Sequence, residues 1–89
     1  MDRDTIKGVS LLKSSSYRLR IVDSIGDTMK TPSEIAKETG IRLNHISNFL
    51  RDLKEHNIVE CLNEAEKKGR LYRVTQHGVN VLEEFNRKG

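Results

Sequence analysis

The stretch Thr31-Pro32-Ser33-Glu34 fixes where one helix must begin, and that start constrains everything around it. Threonine is a good N-cap, proline suits the first helical position, and a glutamate three residues after the cap completes a reciprocal capping box. Ile35 and Ala36 give the helix its inner face, and Gly40 ends it by accepting positive φ. Two or three residues later a second helix begins, in which Ile46, Phe49, Leu50 and Leu53 fall at i, i+3, i+4 and i+7. That spacing makes one apolar stripe. Asn57 suits the left-handed position that closes it.

On the N-terminal side, Ile6, Val9 and Leu12 predict a short helix capped by Asp4 or Thr5, within an N-terminal segment 1–14. Ser14 to Ser16 offer caps for the next helix, whose inner face is Tyr17, Ile21, Val22 and Ile25 and which stops at Gly26. Residues 26–30 read as a loop. After Asn57 the period changes from helical to alternating. Ile58 to Leu62 and Leu71 to Val74 read as two strands joined by a polar loop, a hairpin over 58–74. Thr75 caps a last helix over 75–87, with Val79, Val81, Leu82 and Phe85 inward. The expected fold is therefore mainly α with a small β-hairpin, built as one domain over 1–89.

Composition narrows the functional classes. A chain of 89 residues buries only one modest core. It contains no apolar run long enough for a membrane span, and the start of the chain has no secretory pattern. Cys61 is the only cysteine, so no internal disulfide or multi-cysteine cluster forms. The expected compartment is a reducing cytoplasm, with the chain on the nucleoid. Net charge is +3, but its distribution says more: Lys67, Lys68, Arg70 and Arg73 share a short segment that has no acid. A local basic segment suits a phosphate backbone. A glycine-rich phosphate loop, a nucleophile–base set and a plausible carboxylate pair are all missing, so no enzyme is expected. No cofactor or small-molecule effector is indicated.

A short helix, a glycine turn and a second amphipathic helix, over 31–57, form a helix-turn-helix. The stripe of the second helix leaves Arg42, Leu43, Asn44, His45, Ser47, Asn48 and Arg51 facing outward. Asparagine pairs bidentately with adenine, arginine with guanine, and a leucine meets a thymine methyl. Thr31 and Ser33, at the start of the first helix, add donors for phosphate. The segments Thr31 to Ile41, Ile46 to Leu53, Ile58 to Glu60 and Gly69 to Thr75, with Gly78 following, resemble the prokaryotic winged helix-turn-helix regulators. The likeness is to the ArsR-like and MarR-like groups, especially their small archaeal members, and spans roughly Ser15 to Phe85. It implies a transcriptional regulator that binds double-stranded DNA, with a recognition helix in the major groove and a basic wing on the backbone. It also implies a homodimer joined through terminal helices. Two positions depart from the pattern: Arg42 stands where a serine or threonine cap is usual, and Asn48 where arginine is common. The cysteine metal motif of the metal-sensing members has no counterpart in this helix.

Each of these residues also has a plainer reading. Asn44, His45, Asn48 and Arg51 could be a solvated helix face, and Lys67, Lys68 and Arg70 a hairpin tip whose charges prevent edge pairing. Cys61 fits a small core residue better than a redox or metal group. His45, His56 and His77 are too scattered for a metal site with it. Tyr17 and Tyr72 fit core packing. The terminal stripes exceed what so small a chain can hide, which suggests a dimer seam. Asp23, Asp27, Glu34 and Glu38 leave one alternative, a winged-helix protein-interaction module without DNA binding.

Overall fold

A computed structural model describes residues 2–88. Its elements run α1 (Arg3–Ser14), α2 (Ser16–Ile25), α3 (Pro32–Thr39), α4 (Leu43–Glu55), β1 (Val59–Cys61), β2 (Tyr72–Val74) and α5 (Gln76–Lys88). The five helices and one antiparallel hairpin make a mainly α fold, with Val59 opposite Val74 and Cys61 opposite Tyr72. Both strands are shorter than the sequence pattern suggests, because Ile58, Leu62 and Leu71 lie just outside the regular ladder. The connector after α2 adds a feature the pattern does not carry. Lys30 forms a bridge to Tyr72, exchanging both backbone hydrogen bonds at 3.0 and 2.9 Å.

Local chemistry sets most helix ends. The α3 capping box forms with both hydrogen bonds, and Gly40 closes that helix at φ +74°, a conformation glycine adopts without strain. Asn57 takes positive φ after α4, and the Thr75 hydroxyl accepts the Gly78 amide at 2.9 Å to start α5. The cap of α1 is Asp2 rather than Asp4 or Thr5. Its carboxylate accepts the Thr5 amide at 2.7 Å, and that bond holds the carboxyl below its usual value. Asp4 instead lies in the first turn, where a negative charge suits the helix dipole. Ser15 stands at the cap position of α2 but makes no side-chain cap bond.

One core joins all the helices. Leu12, Ile21, Ile25, Ile35, Ile46, Leu50, Leu53, Ile58 and Val81 are sealed, and Tyr72 closes the hairpin side. Helical geometry explains which apolar residues stay out. Val79 and Val81 lie about 200° apart on α5, so only one can face inward, and Val79 is exposed. Three-residue steps along α1 drift around the helix, which leaves Ile6 half exposed while Val9 and Leu12 are buried. Tyr17, at the start of α2, is also exposed, set edge-on against Phe49 with ring centroids 5.7 Å apart. Cys61 is half-buried.

Gly78 marks the tightest contact. A methyl group there would overlap the Ile58 carbonyl oxygen and the Val74 side chain, so α5 meets the hairpin only because this residue has no side chain. Gly78→Ala is therefore expected to destabilise the fold by about 1–3 kcal/mol in urea unfolding. An unchanged midpoint would show that α5 does not sit this close to Ile58.

Candidate nucleic-acid interface

The start of α3 supplies the first part of the site. The Thr31 hydroxyl accepts the Glu34 amide at 3.2 Å, and the Glu34 carboxylate accepts the Thr31 amide at 2.9 Å. Neither bond uses the Ser33 amide, and the Ser33 side chain is exposed. Donors at a helix start suit an anion.

The second part is α4, which begins at Arg42 with no side-chain cap bond. Its buried row of Ile46, Leu50 and Leu53 faces the core at 0–1% exposure. Leu43, Asn44, His45, Ser47, Asn48 and Arg51 consequently all face solvent, as does Arg42. These residues fall into two rows. Leu43, Ser47 and Arg51, at steps of four, line a groove of about 650 Å³ together with Thr31, Ser33, Lys67, Lys68 and Arg70. Arg42, Asn44, His45 and Asn48 are exposed outside that groove.

The third part is the loop between β1 and β2, which is folded by its own hydrogen bonds. Asn63 Oδ1 accepts the Leu71 amide at 2.8 Å, and Asn63 Nδ2 donates to the Gly69 carbonyl at 3.2 Å. The Glu66 amide donates to the Asn63 carbonyl at 3.0 Å. Arg70 turns inward: Nε donates to the Glu66 carbonyl at 2.6 Å and Nη2 to the Glu64 carbonyl at 3.3 Å. It is half-buried, whereas Lys67 and Lys68 are exposed at the tip. In this arrangement Arg70 shapes the loop and the two lysines project from it.

The structure adds Lys54 and Asn63 to the residues that build the site. Lys54 lies three residues after Arg51, lines the same groove, and forms an ion pair with Glu64 in the loop. The hydrogen bond to Glu64 raises the Lys54 pKa, and its reciprocal holds the Glu64 carboxyl below the usual range. This tether is therefore intact at neutral pH. It weakens as pH falls through the lowered Glu64 value or rises through the raised Lys54 value. The spacing from Arg51 was the available signal for Lys54, while its pairing to Glu64 is non-local.

Two braces fix α4 and α3 behind this surface. Arg18 of α2 pairs with Asp52 of α4 at 2.6 Å and lies over the Phe49 ring. Lys30 pairs with Glu38, whose carboxyl is lowered by hydrogen bonds from Lys30 and the Ser24 hydroxyl. Of the four acids that leave a protein-binding role open, Glu34 and Glu38 thus serve the fold, while Asp23 and Asp27 are exposed. Elsewhere His56 and His77 line a small cleft with Asp4, Lys7, Glu55 and Asn57. Among the described residues, no three histidine, cysteine or acidic side chains gather in a way that could hold a metal ion. Among them too, no helix is long and apolar enough to cross a membrane.

No protein-family model matches the sequence, and no curated protein matches it significantly. Solved structures do match. The homodimeric winged helix-turn-helix DNA-binding domain of a possible ArsR-family transcriptional regulator from Mycobacterium bovis is 27% identical. That match covers 96% of this chain and 75% of the other, with a TM-score of 0.71. E. coli MarR, as a mutant complexed with operator DNA, is 26% identical with a TM-score of 0.74; 97% of this chain covers 63% of MarR. TubR from Bacillus thuringiensis serovar israelensis, bound to 24 bp of tubC, has a TM-score of 0.79 over 100% and 99% of the two chains. At 10% identity that last likeness is one of fold. The M. bovis and E. coli neighbours are thus winged helix regulators of the ArsR and MarR kind, and this chain shares that fold, with five helices and a two-stranded antiparallel hairpin whose connecting loop is its wing.

The Asn63 clamp has a local signature. Asn63→Ala removes both side-chain bonds across the wing and is expected to cost about 1–2 kcal/mol, at roughly 1 kcal/mol per bond. Hydrogen exchange at the Leu71 amide should accelerate about five- to thirtyfold, the same cost expressed as an opening equilibrium. Unchanged exchange there would show that the wing is ordered by something else.

Proposed function

We propose that this chain is a sequence-specific double-stranded DNA-binding transcriptional regulator, and not an enzyme. The observation that carries the reading is the convergence of three donor surfaces on one groove. Ser33 at the start of α3, Arg51 on α4 and Lys67 and Lys68 on the wing line it together. In the proposed complex α4 enters the major groove. Arg42, Leu43, Asn44, His45, Ser47, Asn48 and Arg51 meet base edges and nearby phosphates, while Thr31, Ser33, Lys67 and Lys68 hold the backbone. Arg70 acts chiefly by shaping the wing, with its remaining guanidinium nitrogen available to phosphate.

The 26–27% identity to regulators described as DNA-binding or operator-bound supports the same reading. A homodimer is part of the proposal. Its seam would use α1 and α5, which pack together and leave Ile6 on the surface, and the M. bovis neighbour is itself homodimeric. Such a dimer would address two half-sites about 34–36 Å apart. The proposed location is the cytoplasm, on the nucleoid.

Fluorescence anisotropy with a generic duplex, followed by selection from random duplexes, tests the proposal. Affinity is expected to fall steeply with salt. Replacing Lys67 and Lys68 together by alanine should weaken binding to all sequences and flatten the salt dependence by up to about two units, near 0.9 per phosphate contact. Asn48→Ala should instead change the selected sequence, with about 1–3 kcal/mol lost at one base pair. Absence of duplex binding at low salt would overturn the proposal and favour the protein-interaction module.

A further inference from the structure

The recognition helix carries one more basic residue on its groove side than the outward face read from sequence contains. Lys54 follows Arg51 by three residues on α4 and lines the groove that also holds Arg51, Lys67 and Lys68. Those three have no ion-pair partner among the described residues, whereas the Lys54 ammonium is held by the Glu64 carboxylate at the root of the wing. Both side chains of the pair remain about half exposed, at 45% and 57%, so the contact is reachable from the groove. Glu64 is also fixed in place, because its carbonyl accepts Arg70 Nη2 and the wing around it is clamped by Asn63.

A carboxylate held in this way occupies the position an incoming phosphate oxygen would take on the ammonium. We propose that Lys54 is an additional phosphate-binding residue of the groove, masked in the free protein by Glu64, which acts as an internal competitor of the nucleic-acid backbone. The inference rests on the DNA-binding reading above and adds to it a built-in restraint on affinity. Exchange of one oxyanion partner for another needs no rearrangement of α4, only rotation of a lysine side chain. The restraint is small per molecule, because an exposed ion pair contributes little. In a regulator it lowers sequence-independent binding, since phosphate contacts are common to every site.

The test is a double-mutant cycle on a generic duplex, measured by anisotropy over a range of salt concentrations. Glu64→Gln should raise affinity about two- to fivefold, the range expected from releasing one exposed ion pair. Glu66→Gln makes the same charge change in the same loop at an acid that does not pair with Lys54, and should raise affinity less. In the Glu64→Gln background, Lys54→Gln should remove the extra gain and flatten the salt dependence by about one unit, the signature of one lost phosphate contact. Equal gains from Glu64→Gln and Glu66→Gln would overturn the masking, as would a Glu64→Gln gain that survives loss of Lys54. Thermal unfolding of each variant separates these effects from misfolding. A wild-type chain that binds no duplex would overturn the DNA-binding reading itself, and the masking with it. Wild-type binding with a flat cycle would overturn the masking alone.

Discussion

The burial of three side chains on α4 decides what the rest of the molecule can present. Ile46, Leu50 and Leu53 are at 0–1% exposure, and they recur at the spacing that keeps them on one side of the helix. Turning α4 to hide its outer face would expose all three, at a cost of about 1.5–3 kcal/mol each. That cost is comparable to the whole stability of a domain this small. The outward set from Leu43 to Arg51 is therefore imposed by the core. The braces from α2 then limit how α4 can tilt: Arg18 to Asp52, and the edge-on contact of Tyr17 with Phe49.

The wing works on a different principle. It has almost no apolar content of its own, and among the described residues its order comes from hydrogen bonds that cross the loop. Asn63 joins the two sides, and Arg70 gathers the carbonyls of Glu64 and Glu66. Two exposed lysines are left at the tip, and one acid reaches back to α4 through Lys54. The basic segment that reads as a uniform phosphate contact in sequence is thus divided between a structural arginine and two projecting lysines. Charge in this wing cannot be counted residue by residue.

What was legible in the sequence was local. The Thr31 capping box, the Gly40 stop, the Thr75 cap and the stripe of α4 all depend on residues within one or two turns of each other, and each is present in the structure. What was not legible is pairing across distance. Nothing near Lys30 shows that it will bridge to Tyr72, and nothing near Lys54 shows that Glu64 will hold it. The cap of α1 fell between these cases, because Asp2, Asp4 and Thr5 are all good caps and only the backbone decides among them. Val79 and Ile6 were misplaced for a geometric reason: apolar residues close in sequence need not share a helix face. At the site itself, the exposed face of α4 followed from its stripe, whereas the inward turn of Arg70 did not follow from any pattern.

Amide NMR titration of the chain with a generic DNA duplex, at low and at moderate salt, bears most directly on the claim that α4 and the wing form one DNA-binding surface. Shift changes are expected from Arg42 to Arg51, at Ser33, and from Lys67 to Arg70, with the buried Ile46 and Leu50 following their neighbours more weakly. All should fade as salt rises. Changes confined to another face, such as α1 and α5, or no changes at low salt, would contradict the account.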